Sequence, residues 1–180
     1  MIFVGIHHLA IAVRDLAASH AFYTEAMGFE LVHAEAGVTD EPTGACWAKH
    51  VFYDTGGGTL LALWDLHDVR LPDGPLGLSS GMGLPTWVNH VAFDAGDVTG
   101  LATRTERWLA HGLDVLRIDH GWTVSAYTDD PDGTLVEWCA TVRAFGPAEA
   151  AAAREIVASA SPPLQPLASD IEFLSPATVA

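Results

Sequence analysis

Cysteine and basic residues are scarce in this 180-residue chain. The two cysteines, Cys46 and Cys139, are too few for a disulfide framework, so a reducing cytoplasm is the expected compartment. Eight Lys and Arg stand against 23 Asp and Glu, and the net charge of −15 argues against nucleic-acid binding and anionic membrane surfaces. No apolar run reaches the roughly 20 residues of a membrane-spanning helix. The length of the chain suits a globular protein of one domain or of two small fused modules.

A strand–helix–strand pattern occurs twice along the chain. In each copy, a histidine on an alternating apolar strand is followed by an aspartate that can cap a helix. His8 and His90 are 82 positions apart, and so are Asp15 and Asp97. Two equal offsets with the same order of elements indicate an internal duplication. The sequence therefore predicts an α+β fold built from two tandem βαβββ modules.

The predicted organisation has four parts. The first module spans residues 1–70, and a Gly/Pro/Ser-rich linker loop follows at residues 71–86. The second module spans residues 87–143. Residues 144–180 are predicted to form a C-terminal helix and an extended tail, which would serve subunit contacts or cover the pocket.

Two histidines and one glutamate have the composition of a metal site. His8 shares its strand face with small alanines, and His90 holds the same place in the second copy. Each half ends in a Gly-Thr-Leu strand, in which Glu137 corresponds to Ala62, so the acid occurs in only one half. Two neutral imidazoles and one carboxylate hold one face of a divalent iron and leave positions for substrate and oxygen.

Over residues 5–142 these features resemble the vicinal oxygen chelate superfamily, which includes glyoxalase I, fosfomycin-resistance enzymes, bleomycin-binding proteins and extradiol dioxygenases. The resemblance implies that the two modules form an open half-barrel around a divalent metal. The metal ligands of that family match His8, His90 and Glu137. Family enzymes of the glyoxalase type usually have a fourth ligand on the late strand of the first module, where this chain has Leu60-Leu61-Ala62-Leu63.

Residues 118–137 are similar to the extradiol dioxygenase pattern of a histidine, a tyrosine, an Asp-Pro-x-Gly turn and the ligand glutamate. Here these are His120, Tyr127, residues 130–133 and Glu137, and the departure is Ala126 before the tyrosine. The resemblance implies an enzyme that uses Fe(II), or alternatively Mn(II) or another divalent metal. Its substrates would be a small aromatic diol or enol and O2.

The same resemblance suggests roles for further residues. His50, 42 positions after His8, would be the acid–base residue, although an ordinary strand histidine is nearly as good an interpretation. His120 would hydrogen-bond a substrate oxygen, or simply cap a turn, and Tyr127 would orient the substrate, or belong to the core.

His7 is expected to be structural, on the side opposite His8. Expected pocket walls are Trp47, Phe52, Trp87 and Trp122. Expected surface histidines are His20, His33, His67 and His111.

Two other functions remain open at this point. One is a metal-dependent isomerase or transferase of the glyoxalase and fosfomycin kind, disfavoured by the missing fourth ligand and by the scarcity of bases for an anionic substrate. The other is a metal-free protein that binds an aromatic drug. A homodimer is expected by analogy with the superfamily and because an open half-barrel exposes strand edges.

Overall fold

The computed structural model describes residues 5–39, 46–67, 73–164 and 170–177. The chain forms two compact units, the first from Met1–Val91 with Asp129–Val136 and the second from Ala92–Thr128 with Glu137–Ala180. The boundary predicted at residues 70 and 71 lies outside the described residues. Among the helices that are described, none is long and apolar enough to cross a membrane.

The first unit contains a four-stranded sheet and a short helix. Its strands are β1 (His8–Val13), β2 (Glu30–Val38), β3 (Trp47–Asp54) and β4 (Leu60–His67), in the order β1-β4-β3-β2. β1 pairs parallel with β4, and the other pairs are antiparallel. Helix α1 (Leu16–Ala21) begins after Asp15, whose side chain accepts from two backbone N–H groups, and continues as a π-helical turn over Phe22–Ala26.

One face of this sheet is part of the core of the first unit. Strand alternation places Tyr53, Leu61 and Leu63 on that face, and all three are fully buried. The Tyr53 ring packs against Tyr23, which belongs to the π-helical turn. The opposite face of the sheet carries His8 and His50, so the core is on one side and the residues of chemical interest are on the other.

The second copy repeats the order of the first. Its elements are β5 (His90–Asp94), α2 (Val98–Ala110), β6 (Val115–Asp119), β7 (Thr123–Asp129) and β8 (Leu135–Thr141). Asp97 caps α2 by accepting from the Gly100 N–H, as Asp15 caps α1. The α+β class and the duplicated βαβββ order are therefore confirmed.

The C-terminal region adds a helix and a strand. Helix α3 spans Pro147–Ala158, within the predicted helical stretch. Part of the predicted extended tail forms β9 (Asp170–Leu174), which pairs antiparallel with β6 and gives a five-stranded sheet of order β5-β8-β7-β6-β9. The edge of β6 is thus covered by the chain's own tail.

Residues 129–136 belong to the first unit, although they follow β7 in sequence. The buried Tyr23 hydroxyl donates to Asp130 Oδ2 at 2.8 Å, and the Arg14 N–H donates to Asp132 Oδ2 at 3.1 Å. A Cβ at Gly77 would lie 2.3 Å from the Gly133 carbonyl oxygen, so only glycine fits there. These contacts anchor the Asp-Pro-x-Gly turn, from which β8 begins.

Candidate metal and substrate site

The predicted metal ligands are divided between the two units. His8 and His90 belong to the first unit, and Glu137 belongs to the second. Across residues 5–39, 46–67, 73–164 and 170–177, neither unit alone contains three His, Cys, Asp or Glu grouped so that they could hold a metal. The triad of His8, His90 and Glu137 therefore stays a prediction, and each ligand is described in its own unit.

His8 is the first residue of β1, and its ring is exposed. Its Nδ1 lies 2.8 Å from the Nδ1 of His7, and the two ring centroids are 5.1 Å apart. His7 therefore packs on His8, and its predicted position on the opposite side is wrong. When His8 Nδ1–H donates to His7, the His8 lone pair lies on Nε2, which is the arrangement that a metal-binding imidazole needs.

His90 opens β5 and has a similar partner. Its Nδ1 lies 3.2 Å from the backbone carbonyl oxygen of Trp87 in the preceding turn. A neutral His90 that donates from Nδ1 carries its lone pair on Nε2. The Trp87 indole is exposed, and its role as a pocket wall stays a prediction. Both imidazoles have the donor chemistry that a divalent metal requires.

In the second unit, Glu137 is 5% exposed and lies beside Tyr127. The Tyr127 hydroxyl is 3.1 Å from Nε2 of His120, the residue after β6. Burial and, to a smaller extent, the charge of Glu137 raise the pKa of Tyr127 to about 12, so the phenol stays protonated near neutral pH. His120, Tyr127 and Glu137 thus lie close together in the second unit, and the roles expected for them stay predictions.

Cys139 lies two residues after Glu137 on β8. Burial raises the pKa of its thiol to about 11, and the charges of Glu137 and Asp94 contribute in the same direction. A thiol with this pKa is protonated near neutral pH and is a poor nucleophile. Cys139 is therefore a half-buried apolar neighbour of the carboxylate.

In the first unit, His50 lies on the same sheet face as His8. Its ring stacks on Trp64 with centroids 3.7 Å apart, and the Phe52 centroid is 4.2 Å from that of His50 and 5.9 Å from that of His8. His50 is 9% exposed, and burial lowers its pKa, although the carboxylate of Glu35 opposes the shift. The imidazole is therefore neutral near neutral pH.

Sequence reasoning missed three residues on that face. His33 is at the surface as expected, with 61% of its side chain exposed, and its ring also lies 5.7 Å from that of Phe52. Glu35 lies between the two histidines, with Oε1 3.6 Å from His50 Nδ1 and Oε2 3.9 Å from His33 Nε2. Trp64 supports His50 by stacking. The available signal was the alternation of side chains along β2, which places His33 and Glu35 on one face of that strand.

Two of the expected pocket walls have other partners. Trp47 stacks on His67 with ring centroids 3.7 Å apart. Trp47 and His50 are three positions apart on β3, so their side chains are on opposite faces of the sheet. The structure therefore separates Trp47 from His50. Trp122 lies in the turn after His120 and packs against Phe145 at 4.8 Å. Its role in binding substrate stays a prediction.

The position that corresponds to Glu137 in the first unit is Ala62. Ala62 is fully buried and pairs with Ala10 on β1 and with Phe52 on β3. Because paired residues share a face, this position is on the side of His8 and has no donor atom for a metal. A metal site with four protein ligands, as in the glyoxalase type, would therefore lack its fourth ligand at Ala62.

Comparison with known proteins identifies the family. The model of the Glyoxalase/Bleomycin resistance protein/Dioxygenase superfamily matches residues 5–138. The chain belongs to this superfamily. No curated protein shows significant sequence similarity to it. The superfamily includes enzymes and drug-binding proteins, so membership leaves the activity to be argued from the site.

Solved structures of this superfamily's fold are similar to the chain at low identity. The fosfomycin resistance protein FosX from Listeria monocytogenes, complexed with Mn(II) and sulfate, has a TM-score of 0.53 at 20% identity, over 78% of this chain and 95% of its own. TnmS3, an antibiotic binding protein from Streptomyces sp. CB03234, has a TM-score of 0.53 at 20% identity, over 78% of this chain and 98% of its own. At these identities the likeness is one of fold.

Proposed function

We propose that this protein is a metal-dependent ring-cleaving enzyme of the extradiol type, which acts with O2 on a catechol-like diol or enol. The observation that supports it most is the 3.1 Å contact between His120 Nε2 and the Tyr127 hydroxyl, beside the buried Glu137. The proposed metal ligands are His8, His90 and Glu137. A bound divalent iron would supply the electron exchange between the diol and oxygen, and Mn(II) is the alternative ion.

Tyr127 and His120 would position the substrate. The Tyr127 phenol stays protonated because its pKa is raised to about 12, so it can donate a hydrogen bond to a substrate oxygen. His120 can accept from the phenol or donate to it, depending on its tautomer. This pair would hold a developing negative charge on the substrate without itself ionising.

His50 would move the proton. Its lowered pKa keeps the imidazole neutral near neutral pH, so it can accept the proton of a diol hydroxyl. The carboxylate of Glu35, 3.6 Å from Nδ1, would stabilise the imidazolium that results. The same residue can then return the proton when the product leaves.

The competing functions predict different chemistry. A glyoxalase-type isomerase needs a further metal ligand, and Ala62 cannot provide one. A fosfomycin-type transferase acts on an anionic phosphonate, and eight Lys and Arg in the whole chain favour such a substrate poorly. A drug-binding protein would bind an aromatic ligand without metal or turnover.

The test is oxygen uptake by protein loaded with Fe(II) under anaerobic conditions and then mixed with aerated, substituted catechols. Metal content is measured in parallel on His8→Ala, His90→Ala and Glu137→Gln. The matched control is His111→Ala, an exposed histidine at the end of α2. We expect uptake and a yellow product in the wild type and control, and loss of both metal and uptake in the three variants.

The other outcomes separate the alternatives. Metal bound without uptake would favour the isomerase or transferase. Absence of metal, with catechol still bound, would favour the drug-binding protein. Normal turnover of Glu137→Gln would refute the ligand assignment.

A further inference from the structure

We propose that a cavity in the first unit binds a small aromatic ring whose substituent is neutral or positively charged, and disfavours anionic substituents. The cavity has a volume of about 200 Å³ and lies along β2, beside β3 and β4. The residues that matter in its lining are Glu35, Gly37, Ala48, His50 and Trp64. This inference rests on the proposed function in one respect, namely that the ring bound here is the substrate's.

Small residues create the space. Gly37 pairs with Ala48 across β2 and β3, two positions from the pair of Glu35 and His50. A Cβ built at Gly37 would meet nothing within 4 Å. Pockets for drug-sized ligands have volumes of roughly 300–1,000 Å³, so the smaller cavity fits one ring with a short substituent.

Aromatic and imidazole groups give the cavity its preference for a ring. His50 and Trp64 stack at 3.7 Å with their planes 9° apart, so each ring holds the other in a fixed orientation beside the cavity. His50 is nine-tenths buried, and its Nε2 has no hydrogen-bond partner in the part of the chain that the structure describes. An unsatisfied buried nitrogen is costly, and a ligand hydroxyl or amine that reaches it would relieve the cost.

Charge sets the preference for the substituent. Glu35 is the one acidic residue of the lining, and its side chain is 62% exposed. No Lys or Arg lines this cavity within the described ranges, and Lys49 lies on the other face of β3. An anionic substituent would therefore meet the carboxylate without a compensating cation, whereas an ammonium group would pair with it.

The test compares two probes with the same ring and opposite charge, phenethylamine and phenylacetate. The metal-free full-length protein is titrated with each, and the NMR shift of the Trp64 indole N–H, identified through Trp64→Phe, gives the Kd. We expect phenethylamine to bind about tenfold tighter than phenylacetate, because a partly exposed charge contributes a few-fold in each direction. Glu35→Gln should reduce the ratio to about twofold or less.

Two matched variants locate the effect. Glu30→Gln removes the same charge from the same strand but lies outside the cavity, so the ratio should not change. Gly37→Val should fill the cavity and abolish binding of both probes while the thermal midpoint is retained, because its side chain enters open space.

Equal affinity for the two probes, no binding of either, an equal effect of Glu30→Gln, or normal binding by Gly37→Val would each overturn the inference. Because the titration needs neither metal nor turnover, it can succeed where oxygen uptake fails, and the reverse also holds. Failure of this inference and failure of the proposed function are therefore distinguishable.

Discussion

Removing the Tyr23 hydroxyl should destabilise the protein more than removing the hydroxyl of Tyr53. Both rings are buried, and each hydroxyl has a side-chain partner: Asp130 at 2.8 Å for Tyr23, and the half-buried His20 at 2.9 Å for Tyr53. A hydrogen bond to a charged carboxylate contributes more to the free energy of unfolding than a hydrogen bond to a neutral group does. We expect Tyr23→Phe to cost about 2 kcal/mol and Tyr53→Phe about 1 kcal/mol at pH 7.

The cost of Tyr23→Phe should also depend on pH. Burial raises the pKa of Asp130 above its ordinary value, so the folded chain binds this proton more tightly than the unfolded chain does. The protonated Asp130 therefore stabilises the folded chain at pH values below its ordinary pKa, and this stability is lost as pH rises through the raised pKa of the folded state. The Tyr23 hydroxyl opposes that loss by stabilising the carboxylate. The penalty for Tyr23→Phe should increase from pH 4 to pH 8.

The assay is urea unfolding followed by circular dichroism at micromolar concentration, with the wild type and both variants at each pH. Asp130→Asn provides a second check, because it removes the titrating group and should flatten this part of the pH dependence. A Tyr53→Phe penalty as large as that of Tyr23→Phe would refute the reasoning. So would a Tyr23→Phe penalty that is the same at pH 4 and pH 8.

Three further predictions concern separate residues. Tyr127→Phe should keep its metal but lower turnover about a hundredfold, measured by oxygen uptake, because the phenol donates without ionising. His7→Ala should weaken metal affinity about tenfold in a chelator competition, since His7 orients the His8 ring. Burial alone would raise the pKa of Asp65, but hydrogen bonds such as that from Lys49 lower it below its ordinary value. The stability that the Asp65 carboxylate contributes is therefore present above the ordinary pKa and is lost as pH falls through the lowered pKa. The stability gap between wild type and Asp65→Asn should therefore close below about pH 4, as measured by urea unfolding.

Local sequence signals were sufficient for the framework of the fold. The helix caps at Asp15 and Asp97 are local, because each side chain bonds to backbone within three residues. The contact of His120 with Tyr127 does not follow from the turn between β6 and β7, because the strand register pairs Tyr127 with Leu116.

Long-range pairing was beyond the same signals. The partnership of Tyr23 with Asp130 joins residues 107 positions apart, and no repeat or spacing indicates it. The face of Glu35 depends on an irregularity in the pairing of β2 with β3 between Leu31 and His33. Such a shift changes which residues share a face, and its position depends on the partner strand.

The placement of residues 129–136 has a consequence for dividing this protein. The chain passes from one compact unit to the other at Val91, at Thr128 and again at Val136. A fragment that ends at the linker keeps Tyr23 and Arg14 but lacks the carboxylates that they bind. A fragment that starts there contains those carboxylates without their donors. The first unit therefore takes part of its core from a segment that follows β7, and a cut at the linker would separate Tyr23 and Arg14 from their partners on that segment.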